Sequence, residues 1–379
     1  MPICNKKMSF NECELAILRS SVDTIDKKIA KNIIDSPEIK KIIKVVEDFI
    51  RSKKLVCYGG TAINNILPKD DQFYDKDYEI PDYDFFSPTP LKHAKKLADI
   101  YFNLGFEDVE AKSGVHAGTF KVFVNYIPVA DITYLNAELF KSIRKDAKVI
   151  DGIHYSPPNY LRMNMYLELS RPAGDTSRWE KVLKRLILLN KNYPLKGKNC
   201  GSKQIQRIFE IGIKEFNKKY KSAQEKNKLL ANITTKEKLN ETIFEIVLNS
   251  LIFQGCIFFG AFANRQYYNK ISKRKNKKTD SKIPDFDILA EDPKLCSEIL
   301  RDTLKENGFA NVRVYKRAGV GEIIAPHYEL RVDGNTILFI YEPIACHSYN
   351  KIKIQNKQVN IATIDTMLSF YLAFLYIDR

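Results

Sequence analysis

The stretch Leu55-Val56-Cys57-Tyr58-Gly59-Gly60-Thr61 opens the region that decides the fold. Two further stretches complete it: Ile80-Pro81-Asp82-Tyr83-Asp84-Phe85-Phe86 and Val129-Ala130-Asp131-Ile132-Thr133-Tyr134. The first predicts a buried strand that turns into a helix, because Gly59-Gly60 lets the backbone turn sharply and approach a ligand. The first turn of that helix would offer free N–H groups to an anion. The other two stretches predict strands, so the region indicates a mixed α+β domain.

Three aspartates in these stretches predict a metal site. Asp82 and Asp84 lie two residues apart on a strand, so their side chains share one face. Close carboxylates repel unless a cation lies between them, which suits one or two Mg²⁺ or Mn²⁺ ions. Asp131, on another strand, would be the third oxygen ligand. Asp-x-Asp alone indicates a turn more often than a metal site. The ordered set with Gly59-Gly60-Thr61, which would hold a triphosphate, favours metal-assisted nucleotidyl transfer.

Composition limits the class of protein. The 379 residues allow two or three domains, and 44% hydrophobic and 28% charged residues are typical of a globular protein. The net charge of +15 favours a polyanionic partner. Neither a signal-peptide core nor an apolar run of about 18 residues is found, so we expect no membrane association. The seven cysteines lack C-x-x-C spacing and predict reduced, mostly buried thiols.

The organisation of the chain predicts three parts. Residues 1–52 would be a mainly helical segment, 53–195 the catalytic domain, and 196–379 a helical and degenerate second domain. Ser36-Pro37-Glu38 marks a helix start, with an N-cap residue followed by proline. The apolar periodicity of residues 363–379 has no stop signal, so we expect that the chain could be a shortened form of a longer one.

An internal repeat supports the second domain. Asp82 and Asp84 return as Asp285 and Asp287 at an offset of 203 residues. Upstream, we match Gly60 with Gly260 at an offset of 200. The third carboxylate has no counterpart in the repeat. Asp131 corresponds either to Phe339 or, if the offset of 203 holds, to Gly334. We therefore expect an inert second copy of one fold.

Basic residues provide candidate contacts to phosphate groups. Arg162, Arg178 and Lys181 follow the carboxylate region and would contact a triphosphate or RNA, although a solvated helix face explains them equally well. A basic loop would bind RNA phosphates, the alternative being a flexible, solvated loop. The residues of this basic loop are Lys270, Lys273, Arg274, Lys275, Lys277 and Lys278.

The motifs resemble a known superfamily. Gly59-Gly60-Thr61, Asp82-x-Asp84 and Asp131 are similar to the motifs of DNA-polymerase-β-like nucleotidyltransferases. Residues 161–172, Leu-Arg-Met-Asn-Met-Tyr-Leu-Glu-Leu-Ser-Arg-Pro, resemble the poxvirus-type poly(A) polymerase catalytic subunits of giant DNA viruses. The resemblance implies a catalytic nucleotidyltransferase domain, a degenerate second copy and helical connecting segments. It also implies divalent metal bound by Asp82, Asp84 and Asp131.

The same resemblance implies a function. It implies ATP as donor, an RNA 3′-hydroxyl as acceptor, and tail synthesis on viral mRNA in the host cytoplasm (the viral factory) or the virion. The partner would be a separate processivity subunit or a second copy in a homodimer. Two alternatives remain: another nucleotidyltransferase of the superfamily with a different acceptor, and a non-catalytic RNA-binding scaffold. The net charge argues against a small acceptor, and metal-dependent turnover would exclude a scaffold.

Overall fold

The computed structural model describes residues 4, 8–75, 78–195, 233–271, 285–354 and 356–376, which form two compact units. Unit 1 is Met1–Leu161 with Lys191–Tyr193, and unit 2 is Arg162–Asn190 with Pro194–Arg379. The division differs from the predicted boundaries at residues 52 and 195. Residues 162–190 join unit 2 because they bond within it: the amide and the hydroxyl of Ser348 both donate to the Ser170 carbonyl at 2.8 Å.

Unit 1 is an α+β unit, as the sequence predicts. Its helices, with α6 crossing the division between units, are α1 (Phe10–Asp35), α2 (Pro37–Lys53), α3 (Gly59–Ile66), α4 (Pro90–Asn103), α5 (Ala137–Lys145) and α6 (Pro158–Leu169). Its strands are β1 (Val56–Cys57), β2 (Tyr83–Ser87), β3 (Val109–Ser113), β4 (Thr119–Val124), β5 (Ile127–Tyr134), β6 (Lys148–Ile150) and β7 (Ile153–Tyr155).

The strands of unit 1 form a sheet of order β3-β4-β5-β2-β1-β7-β6. Two pairs are parallel, β2 with β5 and β1 with β7, while β1 and β2 are antiparallel. The central position of β2 and β5 brings two stretches that are far apart in sequence side by side. The strands β6 and β7 were not foreseen, because each is only 3 residues long.

An apolar layer of helices covers one face of this sheet. The Ser36 hydroxyl caps α2 by accepting from the Ile39 amide at 3.2 Å, as Ser36-Pro37-Glu38 predicts. The Tyr101 hydroxyl of α4 donates to the Ile42 carbonyl of α2 at 2.7 Å, which joins the two helices. The residues that α2 buries are Ile39, Ile42, Val46, Phe49 and Ile50.

Unit 2 repeats this architecture. Among the residues described, its helices are α7 (Trp179–Asn192), whose last two residues are assigned to unit 1, α8 (Lys236–Phe253), α9 (Gly260–Ile271), α10 (Pro293–Glu306) and α11 (Ile364–Phe374). Its strands are β8 (Ile257–Phe259), β9 (Phe286–Leu289), β10 (Val312–Arg317), β11 (His327–Val332), β12 (Asn335–Tyr341), β13 (Tyr349–Ile354) and β14 (Lys357–Ala362). Their order, β10-β11-β12-β9-β8-β14-β13, matches the first sheet strand for strand. This order confirms the internal repeat.

Strand register identifies the equivalent of the third carboxylate. Asp84 of β2 lies beside Asp131 of β5, and Asp287 of β9 lies beside Phe339 of β12. Because Asp287 is the counterpart of Asp84, Phe339 is the counterpart of Asp131. The first of the two predicted matches is therefore confirmed, and Gly334 is excluded.

The predicted match of Gly60 with Gly260 is wrong. Cys57 pairs with Phe85, and Phe258 pairs with Ile288, which is the counterpart of Phe85. Cys57 therefore corresponds to Phe258. The glycine two residues after Cys57 is Gly59, and it corresponds to Gly260 at an offset of 201. Both glycines have positive φ, +71° and +68°, and both begin a helix. Sequence letters alone favoured Gly60 because the two adjacent glycines are indistinguishable without the register.

The cysteines depart from expectation at one place. Cys4 and Cys13 form a disulfide, whereas only reduced thiols were predicted. Their separation of 9 residues matches no known motif, and an odd number of cysteines, seven, gave no indication of a disulfide pair. Cys57, Cys256 and Cys296 are buried thiols, as predicted.

None of the helices in the described ranges combines the length and the apolar composition that crossing a bilayer demands.

Candidate active site

Two of the predicted carboxylates meet at the centre of the first sheet. Asp84 of β2 and Asp131 of β5 are direct neighbours in a parallel pair, so their side chains share one face. We call the face of this sheet that carries Asp84, Asp131 and Thr133 the carboxylate face. Asp82 precedes β2 by one residue and lies two residues from Asp84, on the same side by alternation. The fully buried Ala130 and Ile132 point to the opposite face.

Gly59 allows Asp84 to take this place. Its φ of +71° favours glycine. A Cβ atom built on Gly59 would also overlap Oδ2 of Asp84, far inside contact distance. The turn into α3 therefore needs a glycine for two reasons: its own conformation and the close approach of a carboxylate.

Thr61 connects the start of α3 to the strand that carries the acids. Its hydroxyl donates to the Asp82 carbonyl at 2.6 Å, and the residue is buried. The hydroxyl proton is therefore already engaged within the protein. A triphosphate at this turn would meet backbone N–H groups of Gly59-Gly60-Thr61 first, so the nucleotide contact of this turn stays a prediction.

Tyr58 is a site residue that the motif search missed. Its amide donates to the Asp84 carbonyl at 2.9 Å, and its hydroxyl lies 2.7 Å from the Thr133 hydroxyl. Its ring stacks on Phe86 with centroids 4.0 Å apart. Burial, followed by the negative charge of Asp84, raises the pKa of Tyr58 well above its ordinary value. Tyr58 therefore stays neutral and packs against β2 on the carboxylate face.

Lys121 is the second residue that the sequence did not reveal. It lies on β4 directly opposite Asp131, and its ammonium forms an ion pair with Oδ2 of that carboxylate. The other oxygen, Oδ1, is buried and has no hydrogen-bond partner among the described residues. An isolated lysine in a predicted strand carries no motif. Only the register of neighbouring strands could have revealed it.

The electrostatics of the site favour a further cation. The pKa of Asp82 is raised, first because the surrounding protein removes water from it and second because Asp131 repels its charge. Lys121 opposes this shift and lowers the pKa of Asp82. The carboxylates therefore feel one another's charge, and a single lysine neutralises them only in part.

The donor atoms of the site fit a hard divalent cation. Carboxylate oxygens are the ligands that Mg²⁺ and Mn²⁺ prefer, and the unpartnered Oδ1 of Asp131 is one of them. Within the described ranges, however, no group of three Asp, Glu, His or Cys side chains is yet close enough to enclose a metal ion. One of the predicted donor oxygens, Oδ2 of Asp131, is paired with Lys121, and the metal assignment stays a prediction.

A cavity of about 560 Å³ adjoins the carboxylates. Asp82, Asp84 and Thr61 line it together with Asn64, Gln72 and Glu79. One wall is held by buried Asn64, whose side-chain oxygen accepts from the amides of Phe73 and Tyr74 at 2.7 and 2.9 Å. The cavity has the size of a small-ligand site, and polar and apolar side chains line it in similar measure.

The predicted nucleotide contact of Arg162 is wrong. Its side chain is 0% exposed, and its Nε donates to the Asn190 side chain at 2.7 Å inside unit 2. Burial lowers the pKa of its guanidinium. The apolar residues around it in α6 bury the helix on this side. Arg162 therefore connects α6 to α7 instead of facing a ligand.

The other basic residues have different outcomes. Arg178 is exposed and pairs with Glu168 at 3.3 Å, and Lys181 is exposed on α7. Both remain available for contact with phosphate, which stays a prediction. The predicted RNA-binding loop lies outside the described residues: Lys273, Arg274, Lys275, Lys277 and Lys278, together with the side chain of Lys270.

Comparison with known proteins gives the family context of this site. Residues 44–175 match the family model of the poly(A) polymerase catalytic subunit. A protein of Acanthamoeba polyphaga mimivirus, provisionally named as such a subunit, is 36% identical over 163 residues, covering 42% of this chain and 27% of that protein. A protein of African swine fever virus (isolate Tick/South Africa/Pretoriuskop Pr4/1996) with the same name is 31% identical over 195 residues, covering 49% and 40%.

The matched region thus spans less than half the length of either relative. A solved structure, the Megavirus polyadenylate synthase, superimposes with a TM-score of 0.75 at 23% identity, covering 99% of this chain and 73% of that one. The match to the family model includes Gly59, Asp82, Asp84 and Asp131. Through residues 44–175 the chain is therefore similar to the poly(A) polymerase catalytic subunit family, and it shares the fold of the Megavirus polyadenylate synthase.

Proposed function

We propose that this protein is a template-independent poly(A) polymerase that transfers AMP from ATP to the 3′ end of viral mRNA. One observation carries the proposal: the strand register that sets Asp84 beside Asp131 on an open sheet face, next to the Gly59 turn. The matching family region and the net charge of +15 support it. A polyanionic substrate suits that charge better than a small acceptor does.

The reaction joins the RNA 3′-oxygen to the α-phosphorus of ATP. The bond from that phosphorus to the bridging oxygen of the β-phosphate breaks, pyrophosphate leaves, and the attacking hydroxyl loses its proton. Backbone N–H groups at the start of α3 would hold the triphosphate. Gly59 keeps Asp84 close to this turn, so the carboxylates and the phosphates would be held at one place.

Asp82, Asp84 and Asp131 would hold one or two Mg²⁺ or Mn²⁺ ions. Bound there, such ions would lower the pKa of the attacking hydroxyl and neutralise the charge of the leaving pyrophosphate. Burial first, and repulsion by Asp131 second, raise the pKa of Asp82, and a bound cation would relieve that repulsion, which supports this assignment.

RNA would follow basic surfaces. The exposed Arg178 and Lys181 are the described candidates, and the loop that contains Lys273 to Lys278 is the other. Because phosphate contacts release counterions, RNA affinity should fall steeply with salt. Adenine selectivity has no assigned residue in this proposal.

A second copy of this chain is the partner that α1 favours over a separate processivity subunit. Its exposed apolar residues follow 3- and 4-residue spacing, and a parallel copy would set Glu14 opposite Arg19. The exposed residues of this stripe are Leu15, Leu18, Val22 and Ile25. Light scattering should show a dimer that Leu18→Glu converts to monomer. A wild-type monomer at tens of micromolar would instead favour the separate subunit.

The proposed setting is the host cytoplasm, at the viral factory, or the virion. The viral origin of the relatives supports this setting. Immunoblotting of cytoplasmic fractions and of purified virions tests it, and signal confined to the nucleus would contradict it.

Primer extension tests the proposed activity. The protein is incubated with labelled RNA, Mg²⁺ or Mn²⁺, and each nucleoside triphosphate in turn, beside an Asp82→Ala/Asp84→Ala variant. The expected result is a ladder that grows with ATP and is absent in the variant. A ladder of fixed short length would favour a tRNA-end-adding enzyme. RNA binding without any extension would favour the scaffold.

A further inference from the structure

Lys121 holds a position that suggests more than a surface ion pair. Its ammonium pairs with Oδ2 of Asp131, and the two side chains are only 33% and 15% exposed. The antiparallel register of β4 and β5 places the two residues directly opposite each other, so the backbone fixes the pairing. The charge of Lys121 also acts on Asp82. The positive charge of Lys121 thus acts on two of the three carboxylates, Asp131 and Asp82.

The second sheet shows that the fold does not require this lysine. Its equivalent follows from the register: Glu329 of β11 lies opposite Phe339 of β12, as Lys121 lies opposite Asp131. Where the third acid is replaced by phenylalanine, the lysine is replaced by an acid. Glu329 is 2% exposed and binds Arg317, Arg331 and Thr336 within its own unit. A lysine therefore stands at this position only in the sheet that has the third acid, so the strand arrangement itself does not require it.

We propose that Lys121 is a built-in counter-cation of the carboxylate site, which holds Asp131 in the absence of metal and competes with a divalent ion for Oδ2. This inference rests on the metal assignment within the proposed function. It makes Lys121 a positioning residue: it acts through Asp131 and sets how readily the site takes up metal.

Two opposite effects follow from this role. Without metal, removal of Lys121 leaves the carboxylates to repel one another, so the folded protein should lose stability. With metal, removal of Lys121 takes away a competitor, so affinity should rise. A lysine with a merely structural role predicts the reverse for affinity, because a distorted site binds metal more weakly.

Direct binding of Mn²⁺, measured by electron paramagnetic resonance without nucleotide or RNA, tests the proposal. Lys121→Met should bind Mn²⁺ about tenfold more tightly than wild type, because the ion no longer has to displace the ammonium from Oδ2, and this factor corresponds to about 1.4 kcal/mol. Lys112→Met is the matched control. Lys112 lies on the adjacent strand β3, opposite Lys121, and pairs with exposed Glu110 at 2.9 Å. The Lys112→Met variant removes the same charge and should leave the affinity for Mn²⁺ unchanged.

Thermal unfolding gives a second readout. In a chelating buffer, Lys121→Met should melt below both wild type and Lys112→Met, and Mn²⁺ should raise its melting temperature by more than that of wild type. If Lys121→Met does not fold, Lys121→Arg replaces it. Because arginine keeps the charge, Lys121→Arg should retain the low wild-type affinity.

The outcomes separate this inference from the function on which it rests. Equal or weaker Mn²⁺ binding by Lys121→Met, or tenfold tighter binding by Lys121→Arg, overturns the counter-cation role. If Asp131→Asn leaves Mn²⁺ binding unchanged, the metal assignment itself fails. If Asp131→Asn abolishes binding while Lys121→Met has no effect, the metal assignment holds and only the role of Lys121 is wrong.

Discussion

The two sheets have the same strand order and differ at the face where chemistry would take place. On the first sheet, Asp131 lies opposite Lys121 and beside Asp84. On the second, Phe339 stands in the place of Asp131, and Glu329 in that of Lys121. The backbone arrangement is therefore compatible with either a charged, open face or a filled one.

Aromatic side chains fill the second face. The polar contact between Tyr58 and Thr133 has its counterpart in a contact between the rings of Phe259 and Tyr341, 5.4 Å apart. Phe370 of α11 stacks on Phe259 at 4.7 Å. Apolar burial of this kind stabilises the sheet without any ligand. The same strand order therefore accommodates a pair of acids at one sheet and a cluster of aromatic rings at the corresponding place of the other.

The largest effect should come from the second aspartate of each sheet. Asp84→Asn removes a proposed metal ligand with little change in shape, and should cost several kcal/mol of transition-state stabilisation, about 10³-fold in rate. Asp287→Asn makes the same change in the sheet that lacks the third acid. Its rate of adenylate transfer should stay within about twofold of wild type. Equal losses in both variants would contradict the view that only the first sheet is active.

The two helix-start glycines should separate stability from activity. Gly59→Ala and Gly260→Ala each put a side chain at positive φ, which costs about 1–2 kcal/mol, and each meets the neighbouring aspartate. Both variants should therefore unfold at lower urea concentrations. Only Gly59→Ala displaces a carboxylate of the proposed active site, Asp84, so only this variant should lose most of its primer extension.

If Gly260→Ala lost as much activity as Gly59→Ala at a temperature where both are folded, the second sheet would contribute to catalysis after all. Circular dichroism of each variant before the assay verifies that it is folded.

Acid should weaken the second sheet through Glu329. Burial tends to raise the pKa of this carboxyl, but hydrogen bonds from Arg331, Thr336 and Arg317 outweigh burial and lower the pKa to about 2. A depressed pKa contributes stability above the unfolded value of about 4.3 and loses it as pH falls toward 2.

Glu329→Gln should therefore be less stable than wild type at pH 7. Urea unfolding should show that the difference in free energy of unfolding shrinks between pH 4.5 and pH 2. A difference that is constant with pH would mean that the carboxylate charge is not what stabilises the cluster.

The smallest effect should come from Tyr58→Phe, which gives the first sheet the residue that the second already has at Phe259. The change removes the hydroxyl contact with Thr133 and keeps the ring stacked on Phe86. The free energy of unfolding should fall by about 1 kcal/mol, with primer extension nearly unchanged. A large loss of activity would assign the hydroxyl a direct part in the reaction.

Local signals in the sequence predicted the main parts of the first unit. The Ser36 cap, the Gly59 turn and the alternation around Asp84 depend on residues close in the chain, so helix starts and strand faces could be inferred from them. Strands β6 and β7 were missed because 3 residues are too few for a periodic pattern. The match of Gly60 to Gly260 failed because a repeat aligned by letters slips by one where two glycines adjoin.

Spacing along the chain was enough to predict the α+β class and the duplicated fold, both of which the structure confirms. The same spacing singled out Asp82, Asp84 and Asp131 as metal ligands, and that assignment stays a prediction. Only the tertiary structure decided that Lys121 faces Asp131 and that Phe339 replaces it in the second sheet. It also decided that Arg162 is buried. The physical reason is the same in each case: strand register and burial depend on partners far away in sequence, and no local pattern encodes which residues those partners bring together.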